Sequence, residues 1–595
     1  MTDRTSTAPG AADHPHAQWQ DSTGVAIIGG GPAGLMLAIE LGCRGVPCVL
    51  LEQNTHCPVL PKANATSART MEHFRRRGFA DQVRALGLPA QHPQDVVYTT
   101  HMAGPELARF RIPSAEQAAQ QTALGDYGAG TWPTPELPHR AQQMLIEPIL
   151  KAQAEKHASA QVRFGTRAVA LRDLGDHVEI DTADATGQPT GTLQAAYLVG
   201  CDGPRSGVRQ SMQVAYSGQG SEKRDFFGGQ MVSIYLRAPA LYGCLGKDKA
   251  WQYWAVNPNQ RALMCAINGI DTFVLIVQLA PGQLPAALDV AAVIRGAIGA
   301  SFAYEVIAQT PWNAGHALVA ERFRVGRMFV AGDAAHLFTP TGGMGYNTSV
   351  DDAVNLGWKL ALVLQGSAPE ALLDSYQAER HPIALRNTAF ARSMADSIGR
   401  MPAPTDVDLD NAQGERARAA LAAALAVHVA SEFNIPGLQL GLSYAGSAIV
   451  AVEDGVAPPD EPNRYVPSGR PGGRAPHVVV VATQAAGGVG SLLDHFGRDF
   501  TLLVLDDSGT ADWEQAAARL GVPLRVLRWS SAEARQVYGA PCVLIRPDHH
   551  IAWRGVASAN AESVLARSVG RSVGRSVGRS VGGSVKLSVD STLAH

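Results

Sequence analysis

The sequence predicts an α/β protein: a doubly wound parallel-sheet domain carrying an inserted, mostly antiparallel sheet, followed by a smaller third domain. Three observations predict it. Residues 25 to 53 read strand, glycine-rich turn, helix, strand; residues 220 to 315 hold short β-rich segments punctuated by Pro, Gly and Asn; and from residue 476 four apolar runs flank one helical stretch. With 595 residues, 46% hydrophobic and 17% charged, the chain can bury several cores. Its 50 Lys and Arg against 53 Asp and Glu offer no basic footprint and argue against a nucleic-acid partner.

Residues 1 to 22 are polar, lack the apolar core of a signal peptide and read as a disordered tail. No uncharged apolar run reaches the roughly 18 residues of a membrane span, so no membrane association is expected and the cytoplasm is the expected location. The main domain, residues 23 to 400, opens with Val25, Ala26, Ile27 and Ile28 as a short buried strand. Gly29, Gly31 and Gly34 follow at GxGxxG spacing. The first permits the tight turn, the second lets the backbone approach a pyrophosphate, and the third lets helix and strand pack closely. The helix starting there aims unpaired N–H groups and a partial positive charge at that pyrophosphate. A second strand, Val49 to Leu51, ends in Glu52, placed to accept from a ribose hydroxyl. Glycine spacing alone is a weak signal in a chain with 61 glycines; with strand, helix, strand and acid in place it points to dinucleotide binding.

Two insertions, near 90–140 and 220–315, interrupt this domain, the second with the β-rich segments GGQMVSIYLRAP, QYWAVNP, RALMCAIN and TFVLIVQLAP. A sheet laid over a cofactor domain leaves a cleft between the two, where small-molecule sites lie. Residues 401–475 read as an alanine-rich helix, AQGERARAALAAALAVHVASEF, and a Pro- and Gly-rich linker. Residues 476–560, with strands HVVVVAT, FTLLVLDD, PLRVLRW and PCVLIRPDHHIAWRG around a helix near Trp513 to Leu520, resemble a thioredoxin-like fold with Pro541 before a late strand. No CxxC accompanies it, so packing or oligomerisation, a homodimer being one form of it, is expected of this domain rather than redox chemistry. Residues 567–595, where Arg-Ser-Val-Gly repeats four times up to Gly582, read as a low-complexity, disordered tail. The seven cysteines, Cys43, Cys48, Cys57, Cys201, Cys244, Cys265 and Cys542, lack metal-ligand spacing; reduced thiols and no metal site are expected.

A second stretch completes the site. Met328, Phe329 and Val330 form a strand, Gly332 and Asp333 turn the chain, and Pro340, Gly342, Gly343 and Gly345 lead into a helix containing Asp352, Asn355 and Lys359. A glycine loop opening a helix presents N–H groups to an electron-rich acceptor such as the pyrimidine side of a reduced flavin, while the Asp333 carboxylate can hold ribityl hydroxyls. The two stretches together point to a bound flavin.

Three motifs thus occur in order over residues 25 to about 390: Gly29-x-Gly31-x-x-Gly34; YLVGCDGPRSGVRQ with Asp202, Gly203, Ser206 and Arg209; and GDAAHLFTPTGGMGYN with Gly332 and Asp333. In them the chain resembles the class A flavoprotein aromatic hydroxylases of the para-hydroxybenzoate hydroxylase superfamily. Within that superfamily it is most similar to the phenol and chlorophenol hydroxylases with a thioredoxin-like C-terminal domain, and PHVVV near His477 extends the similarity there. The resemblance implies a Rossmann-like domain holding non-covalent FAD, with NADH or NADPH as co-substrate and no second nucleotide domain. It places Glu52 at the adenosine ribose, Arg69 and Gln143 near the pyrophosphate and ribityl chain, Asp333 on the ribityl chain, and Tyr346 and Asn347 as backbone donors to the flavin ring. Asp202 and Arg209 would serve the pyridine nucleotide or order the fold.

The implied reaction, within aromatic catabolism, is hydroxylation of a phenol to a catechol. NAD(P)H reduces the flavin, O₂ adds at flavin C4a, and the hydroperoxide's terminal oxygen passes to an electron-rich ring, expected ortho to its hydroxyl. Pro340 matches the position where the family brings backbone against the reactive face, with Phe338 beside it. Two positions depart from the family. Asn64 stands where related phenol hydroxylases carry an acid or histidine and cannot act as a base, and Lys62 stands where arginine is common. Candidate substrate contacts are Gln230, Tyr253, Trp254 and Met264 on the inserted sheet, which as aromatic and Met positions equally suit a plain core. His336 invites a reading as base or as a packing residue. A halogenase would carry WxWxIP, which is absent, and a non-catalytic escort of this fold would lose the flavin-loop motif, which is present.

Overall fold

The structure is a computed structural model describing residues 21–571 except 122–125, 128–129, 221–223, 225 and 481–489. At its centre an eight-stranded sheet runs in the order Arg324–Val325, Met328–Val330, Pro189–Gly200, Ser22–Ile28, Cys48–Glu52, Ala160–Phe164, with Thr166–Asp173 and Val178–Asp184 joined to the long Pro189–Gly200 strand. The strands from Met328–Val330 to Ala160–Phe164 are parallel. Val25, Ala26 and Ile27 are fully buried, as a strand covered on both faces requires. The first strand starts at Ser22, inside the segment expected to be a tail; residues 1–20 lie outside the described residues.

The two insertions build one object. A seven-stranded sheet runs Glu305–Asn313, Gln230–Arg237, Thr272–Gln278, Arg261–Ala266, Gln252–Val256, Val96–Thr99, Glu106–Phe110. Its neighbours are antiparallel except where Gln252–Val256 lies parallel to Val96–Thr99, the seam between the insertions. A small sheet of Tyr216–Gln219, Ala317–Ala320 and His336–Leu337 joins this layer to the central domain.

The C-terminal sheet has the order Leu524–Arg528, Phe500–Val504, Cys542–Ile545, Ile551–Gly555, with the first pair parallel and the others antiparallel. With helices Ala511–Leu520 and Ala532–Tyr538 between its strands and Ala561–Ser568 after them, this is the thioredoxin-like βαβαββα order, with three helices rather than one. The HVVVVAT strand shrinks to Val479–Val480 among the described residues. Trp358, Leu362 and Leu372 of the central domain bury in the same cluster as Phe500, Trp513 and Leu565, so one face of this sheet shares its core with the neighbouring domain, while Leu503, Tyr538, Val543 and Ile545 bury in a cluster of the domain's own. The first Arg-Ser-Val-Gly unit, expected to be disordered, is ordered: Arg567 and Ser568 end the last helix, and Arg571, which opens the second unit, donates to Ser367 O at 3.2 Å. The later repeats lie outside the described residues.

The alanine-rich segment is the helix Ala412–Phe433. By length and composition alone, Ala412–Leu440 contains a helical window apolar enough to cross a membrane, although Arg418 and Glu432 keep any uncharged run in it short of the expected span. In the fold, its Leu421, Leu425 and Val429 bury in the cluster of the inserted sheet.

Candidate functional site

Three loops leave the carboxyl ends of neighbouring parallel strands: residues 29–31, 201–203 and 331–333. That edge is where open α/β sheets bind ligands. Gly29 (φ +111°) packs so tightly that a Cβ would lie 2.2 Å from Cys201 O, and one on Gly34 would lie 2.0 Å from Gly29 O. At Gly31 a Cβ would meet nothing within 4 Å, although Gly31 caps the helix Pro32–Gly42 without any side-chain cap bond. Open space in front of an uncapped helix N-terminus is the cradle a pyrophosphate fills. Glu52 stands beside it, accepting from Gly30 N at 2.7 Å and Asn54 N at 2.8 Å.

Asp333 reaches solvent yet lies deep in the recess, as a side chain lining a ligand cleft does. Burial raises its carboxyl above the ordinary range, while His336 and Lys62 act to lower it. The exposed Lys62 faces both Asp333 and Glu147, which makes it the cation of this cleft despite replacing the family's arginine. Gly332 turns at φ +62° and donates to Asp352 at 3.1 Å. The helix Met344–Leu364 begins after Gly343 (φ +63°), again with no side-chain cap, so the first-turn N–H groups of Met344, Gly345 and Tyr346 have no intrahelical acceptor, whereas Asn347, one residue further on, has the Gly343 carbonyl as its i−4 acceptor. The Asn347 side chain instead staples this turn, accepting from Ser67 N at 2.8 Å and donating to Ala65 O at 3.0 Å. Pro340 is exposed at the loop, and Phe338 lies over Gly345, 3.5 Å from where a Cβ would stand.

Asp202 accepts from Val208 N at 3.1 Å and keeps its other oxygen buried without a partner. Arg209 stacks over Tyr216 at 3.9 Å and donates to Val214 O, while Tyr216 donates to Asp333 O at 2.7 Å, so this arginine orders the turn beneath the cleft. Gln143 begins the helix Gln143–Glu155 and bonds Glu147, and its N–H binds Ala63 O at 2.7 Å.

Several sequence expectations need correction. Arg69 does not reach the glycine cradle: it is 3% exposed and donates to Glu72 and to Asp548 O at 2.6 Å, tying the central domain to the C-terminal one. Tyr253 and Met264 lie on the wrong face. Asn64 touches the Cys265 thiol beside Gln252, and Gln252 pairs with Cys265, so residues 252, 254, 263 and 265 face the flavin domain. Period-two alternation sends Tyr253 and Met264 to the opposite face, where Tyr253 accepts from Ala250 N at 2.7 Å. Gln230 is exposed at a strand end. Trp254 lies buried on the face of Gln252, donating to it at 3.1 Å. His336 is fully buried, its Nε2 2.6 Å from Asp352, whose other oxygen binds Arg380 at 2.7 Å; it belongs to a structural network and not to the cleft surface. Sequence reasoning missed Gln142, a buried amide with neither end bonded, and the pair His428 and Glu432, visible only as an i, i+4 spacing until the helix is docked.

A family model described as an FAD binding domain matches residues 22–391, and one described as aromatic-ring hydroxylase, C-terminal, matches residues 468–576. The chain belongs to the FAD-dependent aromatic-ring hydroxylases. This hydroxylase is 32% identical to aklavinone 12-hydroxylase RdmE of Streptomyces purpurascens, across 91% of its own chain and 97% of that relative. It is also 32% identical to the 4-methyl-5-nitrocatechol 5-monooxygenase of a Burkholderia species, across 89% and 93%. The solved structure of the rebeccamycin biosynthetic enzyme RebC with reduced flavin matches with a TM-score of 0.82 at 31% identity, covering 93% of this chain and 99% of that one. A ternary complex of aklavinone-11 hydroxylase with FAD and aklavinone matches at 0.75 and 30%, covering 94% and 100%. The hydroxylase is an FAD-dependent monooxygenase of aromatic substrates, and the open cradle at Gly31, the accessible Asp333 and the uncapped helix at Gly343 fit that cofactor.

Proposed function

We propose that the hydroxylase inserts one oxygen atom of O₂ into a phenolic ring, ortho to an existing hydroxyl, with NADH or NADPH as reductant. The observation that carries this reading is the helix Ala412–Phe433, which buries Leu421, Leu425 and Val429 in the cluster of the inserted sheet and takes the N–H of Gly342 in the flavin loop on Glu432 at 2.9 Å, beside the pair in which Trp254 stacks on Tyr98 at 5.5 Å between ring centroids. Bound FAD supplies the redox chemistry, taking a hydride from NAD(P)H and activating O₂. The chain's own part is to hold it and to shape a dry, aromatic-walled space for the substrate ring. Gly31 and the N-terminus of helix Pro32–Gly42 bind the pyrophosphate, Glu52 the adenosine ribose, and Asp333 the ribityl chain. The N–H groups after Gly343 receive negative charge from the flavin ring. A relative named for a nitrocatechol and another named as an aklavinone hydroxylase support an oxygen-bearing aromatic ring as substrate.

The test is NADH and NADPH oxidation by the purified holoenzyme with a panel of phenols, catechols and hydroxyanthraquinones under isotopically labelled O₂. The expected result is faster NAD(P)H oxidation with a subset of the panel and one labelled oxygen in the product ring. Oxygen derived from water, or oxidation indifferent to every compound, overturns the reading.

A further inference from the structure

Beside the flavin loop, three polar atoms of one buried cluster lack a hydrogen-bond partner: Tyr98 Oη, His428 Nε2 and Glu432 Oε2. Tyr98 is 0% exposed, His428 3% and Glu432 4%. His428 and Glu432 face each other on the helix Ala412–Phe433, with Nε2 3.0 Å from Oε2 but outside hydrogen-bond alignment, while His428 Nδ1 pairs with Ser397 Oγ at 3.0 Å. The other oxygen of Glu432 accepts from Gly342 N at 2.9 Å, two residues beyond Pro340. The Tyr98 ring meets His428 edge-on at 6.3 Å and stacks on Trp254, which Phe226 and Phe227 back at 5.7 and 6.1 Å.

A donor hydroxyl and an acceptor carboxylate oxygen therefore stand at the edge of an aromatic shelf, and the carboxylate is anchored to the loop that carries Pro340. Unsatisfied polar atoms in a dry interior are costly, and a cluster of them fits a polar guest. Trp254 itself is covered by Tyr98, Phe226 and Phe227, so it is a substrate ring bringing one hydroxyl to this edge that satisfies both atoms at once. Asn64, on the far side of Gln252, cannot take a proton, and burial with the Glu432 charge nearby holds the Tyr98 phenol well above its usual range, so Tyr98 acts as a donor only.

We propose that Tyr98 and Glu432 form the site for the substrate's hydroxyl: Tyr98 Oη donates to the substrate oxygen, and Glu432 Oε2 takes its proton. The inference rests on the phenolic reading above. The substrate O–H bond breaks, its electron pair stays on oxygen and enriches the ring, and the proton passes to the carboxylate. After oxygen transfer that proton leaves on the second O₂ oxygen as water. His428, fixed by Ser397, is a positioning residue for Glu432.

The test uses FAD-loaded wild type, Tyr98→Phe and Glu432→Gln, with 4-nitrocatechol and alizarin as probes because both change colour when a hydroxyl ionises. Glutamine keeps an oxygen for Gly342 N–H, and the Tyr98 hydroxyl has no protein partner to lose, so FAD content and melting temperature should match wild type in both variants. Wild type should bind a probe in its ionised colour at a pH where the free probe is neutral. Glu432→Gln should bind it un-ionised and lose about 10- to 100-fold in kcat, and Tyr98→Phe should weaken binding about 10-fold. A purely structural cluster predicts probe affinity, probe colour and turnover as in wild type for both variants, and that result overturns the inference alone. A wild type that binds neither probe and oxidises NAD(P)H indifferently to every phenol removes the phenolic reading and the inference with it.

Discussion

Valine in place of Gly31 should yield a folded protein that cannot keep FAD, and the three glycines of the motif allow the reasoning to be checked against itself. Gly29 and Gly34 are demanded by the protein's own backbone, since a Cβ would lie 2.2 Å from Cys201 O and 2.0 Å from Gly29 O. Gly31 has an extended backbone (φ −79°, ψ −176°) open to any residue, and a Cβ there meets nothing within 4 Å. Its only tight neighbour would be the ligand. Blocking the pyrophosphate at that helix N-terminus removes on the order of two charge-assisted hydrogen bonds of about 1.5–3 kcal/mol each, or about 10²- to 10⁴-fold in affinity. The cost to the apo fold is confined to replacing a tolerated cap residue, about 1 kcal/mol at most. The assay is flavin absorbance per protein after gel filtration, paired with thermal melting of apo protein. Gly31→Val should be colourless and melt near apo wild type, whereas Gly29→Val and Gly34→Val should lose cooperative melting. Full FAD occupancy in Gly31→Val, or misfolding of that variant alone, refutes the argument.

Asp333→Ala should also fold, because the carboxylate opens into the recess and only its backbone carbonyl receives the Tyr216 bond; loss of one charge-assisted bond to the ribityl chain lowers FAD affinity about 10- to 100-fold, read by titrating apo protein with FAD. An unchanged dissociation constant would show that Asp333 does not hold the cofactor. At the joint with the C-terminal domain, Arg546 binds Glu379 at 2.7 Å and Asp548 at 2.6 Å, all of them buried, so Arg546→Leu should destabilise the protein by about 3–5 kcal/mol and expose the domain junction to limited proteolysis. Despite burial, which acts to raise it, Arg546 and Lys359 hold the Glu379 carboxyl down at about 2. Its contribution to stability is therefore present above the ordinary carboxyl value near 4.3 and is lost as pH falls from there towards 2; acid melting curves should show that loss in wild type and a smaller one in Arg546→Leu.

The sequence alone determined the features that act locally along the chain. Strand, turn and helix around Gly29, Gly31 and Gly34, the second glycine loop at Gly332 to Gly345, and the strands of the thioredoxin-like domain follow from short-range pattern, because tight turns and buried strands restrict which residues can stand there. Tertiary structure decided everything that depends on what a side chain meets across the chain. The two insertions form one sheet only because Val96–Thr99 pairs with Gln252–Val256, and that register puts Trp254 beside Tyr98 on the face of Gln252 and Cys265 while Tyr253 and Met264 turn to the other face. Arg69 matches a family position for the cofactor, yet the neighbouring Glu72 and the distant Asp548 carbonyl claim its guanidinium. His428 and Glu432 look like a solvated i, i+4 pair on an alanine-rich helix until Gly342 and Tyr98, both far away in sequence, enclose them. Pattern reports which face of an element is apolar; the identity of the partner on that face is fixed by long-range packing, and the chemistry of this site lies in those partners.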